Sequence, residues 1–242
     1  MAELEQWGVP LAVAGMLVAT LFMAAVVTRY QAHLATVRLA VRRIEVGVQT
    51  LLAIFDDLQT VSLSRELRVT LRSDVLARYQ KIKKLHKRYL GIAERIAEAE
   101  TALNAEGAAP GGVGPIEDEQ AFRKMLRALD RLIEIVSYGE TVQPIPADVR
   151  GIFKRELGER RAEVVSRFYM VEAKRYENNG NYVRARMHLS NLMQLLRRTG
   201  PSTDFVRELY NEADAALGIL NRHDSVDVDA TDEGGEPNAS VA

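Results

Sequence analysis

The first part of the chain is dominated by one uncharged, apolar segment. Residues 9–27 are nineteen residues without a charge, and Thr20 carries the only hydroxyl group among them. A helix of this length, rising about 1.5 Å per residue, spans roughly 28 Å, close to the ~30 Å hydrocarbon core of a bilayer. Because hydrocarbon offers no water to the peptide groups, a single segment there must be helical. The pattern therefore predicts a transmembrane helix over 9–28.

Beyond this segment, apolar residues recur every three or four positions, the spacing of one helix face. The first such seam consists of Val27, Tyr30, Leu34, Val37, Val41, Ile44, Val48, Leu51, Phe55 and Leu58. After an interruption that ends at Ser64, a residue suited to cap a new helix, a second seam consists of Val75, Ile82, Leu85, Tyr89, Ile92, Ile96, Ala99 and Leu103. The seams predict helices over 30–58 and 64–104 that fold back as a long antiparallel hairpin, a coiled-coil-like stalk over 29–104. They leave open whether the pairing is within one chain or between chains.

The second half of the chain is also helical by pattern. Residues 105–116 are rich in Gly, Ala and Pro, which predicts a flexible linker. Further helices are expected along a stripe from Phe122 to Val136, over 147–178 as one helix or as two with a break at Gly158, over 181–198, and from Pro201 to about Asn221. Together they predict a helical domain over 117–221, followed by a disordered acidic tail over 222–242. The fold class is therefore predicted to be all-α.

One short stretch has a distinctive spacing. Aromatic, small and aliphatic residues follow one another in the order Tyr169, Ala173, Tyr176, Gly180, Tyr182, Ala185, Leu189 and Leu192. This spacing resembles one tetratricopeptide repeat hairpin, although Arg197 stands where the family usually has the closing Pro. The resemblance implies two closely crossed helices and a groove that binds a peptide or a partner helix, assigned here to Tyr169, Tyr176, Tyr182 and His188. An ordinary helical hairpin built from the same residue types is the alternative.

The flanks of the apolar segment predict its orientation. Two acidic residues precede it, whereas the first charges after it are basic, at Arg29, Arg38, Arg42 and Arg43. Basic residues stay on the cytoplasmic side, so we expect residues 1–8 outside the cell membrane and 29–242 in the cytoplasm. The Ala- and Arg-rich composition favours a bacterial inner membrane. A cleaved signal peptide and a core helix of a soluble protein are the alternatives.

Particular residues are suited to hold such a helix in place. Trp7, Arg29 and Tyr30 lie where side chains anchor a helix at the two membrane interfaces. Gly15 and Ala19 form a pair of small residues that would allow two such helices to approach closely. The sequence therefore allows a homo-oligomer but does not require one.

Composition excludes some chemistry. The chain has no Cys, which excludes disulfides, thiolate metal ligands and a Cys nucleophile. With 32 Lys and Arg against 33 Asp and Glu, the net charge of −1 indicates no class of partner. The histidines, His33, His86, His188 and His223, are not spaced as metal ligands. We therefore expect no metal, no cofactor and no enzymatic activity.

The densest charge cluster consists of Arg78, Lys81, Lys83, Lys84, Lys87 and Arg88. A solvated helix face is the simplest interpretation of this basic cluster. A hairpin would return it toward the bilayer, where anionic lipid attracts basic side chains. Contact with nucleic-acid phosphates is a further alternative, but only Tyr79 and Tyr89 interleave with the charges.

These features predict a non-catalytic, single-pass membrane protein. We expect a scaffold or adaptor that binds a protein partner at the cytoplasmic face of the membrane. The alternative is a signal relay, in which the membrane helix passes motion from a sensing partner into the first seam. A further alternative is a membrane tether for nucleic acid or anionic lipid through the basic cluster.

Overall fold

The computed structural model of the chain describes residues 2–107, 113–116 and 118–232, and within them the side chains of 15–107, 113–116 and 118–222. These residues form seven helices: α1 (Ala2–Asp57), α2 (Arg65–Leu85), α3 (Ile92–Asn104), α4 (Glu119–Tyr138), α5 (Ala147–Asn178), α6 (Tyr182–Thr199) and α7 (Asp204–Asp232). No strand occurs in this part of the chain, where a single isolated antiparallel bridge joins Val61 to Val113. The predicted all-α fold class is confirmed.

Helix α1 runs without interruption through the apolar segment and the first seam. At about 1.5 Å per residue its 56 residues span roughly 84 Å, far more than a ~30 Å bilayer core requires. Among the described residues it is the one helix that is long and apolar enough to cross a membrane, judged by length and composition. Within α1, residues 6–28 are the one stretch without a charged residue that is long enough to cross a bilayer.

The exposure of side chains changes along α1. Every described side chain from Gly15 to His33 is exposed, Leu34 and Val37 are half-buried, and Val41 is the first that is buried. The later seam positions therefore pack against the protein, whereas the described part of the apolar segment, residues 15–27, is exposed.

The prediction of one helix over 64–104 is wrong, because residues 86–91 separate α2 from α3. Gly91 lies between them with a left-handed φ of 73°, a conformation that favours glycine. Tyr89 is half-buried and Ile92 is buried, so both still face the protein interior across the break. The seam spacing is therefore preserved although the helix is not.

The chain forms two compact units. The first consists of residues 1–50 and 75–100, and the second of residues 51–74 and 101–242. Residues 51–74 and 101–104 of the predicted stalk fall in the second unit, together with the C-terminal helices.

In the first unit, a hydrogen-bonded group joins α1 to the segment that leads into α3. The Glu45 carboxylate accepts a hydrogen bond from the Tyr89 hydroxyl at 2.8 Å and another from Arg95 Nη1 at 3.0 Å. These hydrogen bonds to Glu45 raise the pKa of the Tyr89 phenol and of the Arg95 guanidinium above their ordinary values. The buried hydrophobic residues of the first unit are Val41, Val48, Val75, Tyr79, Ile82, Ile92 and Ala99.

In the second unit, α5 is the central helix, and it packs against α4, α6 and α7. It continues through Gly158, so the two-helix alternative is wrong. This glycine instead allows close packing, because a Cβ placed on it would lie 3.2 Å from Cγ of Pro201. The residue that looked like a helix break in the sequence is a contact point between α5 and the turn before α7.

Residues 51–74 are tied into the second unit by polar contacts. Ser64 caps α2 as predicted, because its Oγ accepts a hydrogen bond from the Leu67 amide at 3.2 Å. At the other end of the segment, buried Asp74 accepts a hydrogen bond from the Val142 amide at 2.5 Å. These bonds explain why a segment predicted to be part of the stalk belongs with the later helices.

The end of the predicted linker is held in the same unit. The Gly114 amide donates to the Thr60 carbonyl at 2.7 Å, and buried Val113 donates its amide to the Glu163 carboxylate at 3.1 Å. Residues 113–114 are therefore fixed by hydrogen bonds on both sides, while residues 108–112 of the predicted linker lie outside the described residues.

Helix α7 is longer than the pattern predicts. Its backbone is helical to Asp232, whereas an end near Asn221 was expected and residues 222–232 were assigned to the tail. No Gly or Pro occurs between 219 and 233 to stop it. The predicted tail beyond Asp232 lies outside the described residues.

Candidate docking groove between α5 and α7

The turn between α5 and α6 has the geometry that the sequence predicts. Gly180 adopts a left-handed φ of 71°, and the Asn181 amide donates to the Tyr176 carbonyl at 2.8 Å, which closes the end of α5. Asn181 then caps α6, since its Oδ1 accepts a hydrogen bond from the Arg184 amide at 3.1 Å. The predicted helix end at 179–180 is confirmed.

Small residues allow the two helices on either side of this turn to pack closely. Ala173 of α5 and Ala185 of α6 are buried in one cluster with Leu189 and with Leu220 of α7. Tyr176 and Tyr182 pack against the edge of this cluster. The α5–α6 hairpin therefore packs against α7, and Tyr176 and Tyr182 contribute to the core of the hairpin.

The four residues predicted to form a groove lie on the α5–α6 side of the domain. The rings of Tyr176 and His188 are stacked with 5.1 Å between their centroids, and the Tyr169 ring lies 5.8 Å from that of His188. The Arg184 guanidinium lies 5.6 Å from the centroid of the Tyr176 ring. His188 therefore contacts both Tyr169 and Tyr176. Tyr182 packs against the same core cluster as Tyr176.

An open groove lies elsewhere, between α5 and α7. One part of it, about 550 Å³ in volume, is lined by Met170 and Val171 of α5 and by Phe205 and Leu209 of α7. A second part, about 310 Å³, shares Met170 and Val171 and continues along α7 to Ile219. From Phe205 to Ile219 the groove follows roughly 21 Å of helix, at about 1.5 Å per residue.

The groove is apolar along its length and charged at its edges. Val171 is 57% exposed and Ile219 is 47% exposed, although both are large apolar side chains. Charged residues stand beside them, namely Arg167, Lys174, Glu177 and Glu212. This arrangement is suited to an amphipathic segment that buries one apolar face and leaves its polar face in water.

A buried carboxylate closes one end of the groove. Glu163 is only 6% exposed, and it pairs with Arg160 at 2.7 Å and with Arg167 at 3.1 Å. It also accepts the hydrogen bond from the Val113 amide. Its charge is thus compensated by protein groups, so we interpret it as a structural residue.

The sequence contains a signal for this groove in the apolar positions of α7. Helix α7 has two apolar stripes: Val206, Ala213 and Leu220 are buried in the core, and Phe205, Leu209, Ala216 and Ile219 line the groove. A helix that packs on one side only needs a single stripe. None of Tyr169, Tyr176, Tyr182 and His188 lines either described part of the groove.

The basic cluster is divided by the structure. Arg78 is half-buried, and its guanidinium lies against Gly47, where a Cβ would collide with it. The other members are exposed in the last turns of α2 and in the segment that follows, namely Lys81, Lys83, Lys84, Lys87 and Arg88.

The predicted anchor residues are in the first helix. Arg29 and Tyr30 are exposed, as are Gly15 and Ala19, and nothing lies within 4 Å of a Cβ built on Gly15. The side chain of Trp7 lies outside those described. Close contact of two membrane helices stays a prediction.

Comparison with known proteins adds no relative. No protein-family model, no curated protein and no solved structure matches the chain. Within the described residues, no group of three His, Asp or Glu side chains is placed to hold a metal ion. The groove is thus the feature from which a function can be argued.

Proposed function

We propose that this chain is a non-catalytic, single-pass membrane adaptor whose groove between α5 and α7 binds a short amphipathic helix of a protein partner. The observation that carries the proposal is the apolar surface of Val171 and Ile219, which the described residues leave exposed in a groove long enough for several helical turns. Soluble surfaces rarely leave such contiguous apolar side chains uncovered unless they bind something.

The location of the adaptor follows from α1. The uncharged segment at 9–28 would cross the membrane, and the basic residues after it would keep the rest of the chain in the cytoplasm. We place the protein in a bacterial inner membrane, with its N-terminus outside. The groove would then present itself to partners at the cytoplasmic face.

The antiparallel hairpin of the first two helices is part of the proposal. Two contacts support it: the Arg72 guanidinium lies 4.8 Å from the centroid of the Phe55 ring in the second unit, and Tyr89 bonds to Glu45 in the first. In each pair the partner of α1 comes from a later segment of the chain. Pairing within one chain is therefore favoured over a coiled coil between chains.

The groove can be tested with matched charge substitutions. Full burial of a Val or Ile side chain contributes about 1.5–3 kcal/mol, and ~1.4 kcal/mol corresponds to a factor of ten in affinity. Val171→Glu or Ile219→Glu should therefore weaken partner binding at least tenfold. Val183→Glu and Ile152→Glu are the controls, because these side chains are exposed on α6 and α5 outside the groove.

The measurement is affinity capture of the full-length protein from detergent extracts, with quantitative identification of the captured proteins. A partner that is lost with both groove variants and kept with both controls supports the proposal. If all four variants capture the same set at the same level, the groove is not the binding site. Circular dichroism of each variant shows whether the helices are retained.

A signal relay is a second candidate, favoured by the continuity of α1 from the apolar segment to Asp57. Because the chain has no Cys, single cysteines engineered along 34–58 report on this region without interference. A crosslinking pattern that shifts when a stimulus is applied supports a relay. A pattern that stays the same supports an adaptor.

A further inference from the structure

The segment between α2 and α3 exposes an apolar side chain among basic ones. Leu90 is 93% exposed, the highest value among the large apolar side chains described, and Leu85 is 39% exposed. We refer to residues 81–91 as the tip. A single exposed leucine is normal on a protein surface, so it carries weight here only together with the charges around it.

The charge of the tip is of one sign. Lys81, Lys83, Lys84, Lys87 and Arg88 are all exposed. No Asp or Glu occurs between 75 and 93. The carboxylates beside the tip are Glu94, next to Gly91, and Glu45, which is already paired with Arg95. An exposed leucine surrounded by Lys and Arg is the composition of a surface that binds at the interface of an anionic bilayer.

The tip lies in the same unit as the membrane-proximal part of α1. Two observations indicate how far it lies from the membrane along that helix. Tyr89 bonds to Glu45, which is roughly 24 Å beyond Arg29 by helix rise. Burial along α1 begins closer to the membrane than Glu45, since Leu34 is half-buried. Leu21, in the apolar segment, is 69% exposed. Leu34 is only roughly 8 Å from Arg29 along the helix.

From this level the charges of the tip act on lipid only when the first unit tilts toward the bilayer. Attraction between exposed charges acts over a Debye length of about 8 Å at physiological ionic strength. Membrane helices are tilted by about 20° on average and by up to ~40°, which lowers one side of the unit toward the headgroups. Because α1 holds the tip near one bilayer, its contact with lipid becomes an intramolecular event at high effective concentration.

We infer that the tip binds the headgroups of anionic phospholipids in the bilayer that α1 crosses, with Leu90 entering the interface between its basic neighbours. The inference rests on the membrane insertion of α1 proposed above and is independent of the groove. Contact of the tip would fix the tilt and rotation of the first unit relative to the membrane.

The test uses the full-length protein in vesicles of phosphatidylcholine alone or mixed with phosphatidylglycerol. An environment-sensitive fluorophore on His86→Cys reports the surroundings of the tip and leaves Leu90 in place. We expect a blue shift and quenching by brominated lipid with phosphatidylglycerol, both reversed by high salt. A variant with four substitutions, Lys81→Gln, Lys83→Gln, Lys84→Gln and Lys87→Gln, should lose both the blue shift and the quenching. The reason is that each basic residue near the surface contributes roughly fivefold to lipid partitioning.

The matched control removes the same number of charges elsewhere. Lys154, Arg155, Arg197 and Arg198 are exposed in the second unit, and their change to Gln should leave the signal at the tip unaltered. Equal signals in the two lipid mixtures overturn the inference. So does a tip signal that responds to a DNA duplex and not to phosphatidylglycerol.

Flotation of the vesicles separates this inference from the proposal on which it rests. Protein that floats with both lipid mixtures, but whose tip signal ignores phosphatidylglycerol, contradicts the inference alone. Protein that does not float with either mixture contradicts the membrane insertion of α1, and the inference is then overturned with it.

Discussion

Ser64 donates two hydrogen bonds to Glu156, from its backbone amide to Oε1 at 2.5 Å and from its hydroxyl to Oε2 at 2.7 Å. The same serine oxygen caps α2 by accepting from the Leu67 amide. A local helix start is thereby joined to the central helix of the second unit, across 92 residues of chain.

This relationship predicts a cost for removing the carboxylate. Glu156→Ala leaves the Ser64 amide without its charged acceptor, and hydrogen bonds to charged groups contribute about 1.5–3 kcal/mol each. We expect the free energy of unfolding to fall by roughly 2–3 kcal/mol, measured by urea denaturation in detergent micelles. Glu208→Ala, at an exposed position of α7, is the control and should change it by less than about 0.5 kcal/mol.

Two glycines of α5 should respond to alanine in opposite directions. A Cβ at Gly151 meets nothing within 4 Å, so Gly151→Ala should stabilise the helix by about 0.5–1 kcal/mol. A Cβ at Gly158 would lie 3.2 Å from Pro201, so Gly158→Ala should lower the melting temperature instead. An increase for both variants would show that Pro201 is not packed against α5.

The buried carboxylate beside the groove should be sensitive to substitution. Glu163→Leu removes the partner of Arg160 and Arg167 and the acceptor of the Val113 amide. Breaking a buried pair by removing one member costs about 3–5 kcal/mol. We expect a loss of that order in urea denaturation. Glu119→Leu is a control in which an exposed ion pair with Arg123 is broken, at a cost of about 0–1 kcal/mol.

The stacked tyrosine distinguishes a structural role from a binding role. Tyr176→Ala removes the ring that stacks on His188 and packs against the core of the hairpin, so we expect destabilisation by about 3 kcal/mol. Tyr176→Phe keeps the ring and should keep the stability. At a temperature where Tyr176→Ala is still folded, it should capture the same partners as the unchanged protein. If the folded Tyr176→Ala variant no longer captures a partner, the binding site lies on the α5–α6 side and not in the groove.

The contact between Glu45 and Tyr89 gives a prediction for the first unit. Tyr89→Phe removes one hydrogen bond to a carboxylate and should cost about 1.5–3 kcal/mol. Hydrogen exchange of the full-length protein locates the effect, with faster exchange expected in 75–100 and unchanged exchange in α6. A uniform change in all helices would contradict an effect confined to the first unit.

Local patterns in the sequence are enough to predict most of the helices, with the break at 86–91 and the end of α7 as the exceptions. The uncharged run at 9–27, the Ser64 cap and the Asn179–Gly180 turn depend on neighbouring residues alone, because helix spacing, capping and chain reversal are local effects. The same reasoning predicts that Ala173 and Ala185 allow two helices to cross closely, and both are buried.

What only the tertiary structure decided is which faces meet. The turn before Gly91 could not be predicted from the seam, because apolar residues on both sides of the turn face inward and keep the same spacing as in a continuous helix. The division at Thr50 depends on partners far along the chain, such as Glu156 for Ser64 and Val142 for Asp74. The groove likewise exists because α7 has a second apolar stripe that no other described segment covers, and the sequence shows that stripe without showing which side of α7 faces the core.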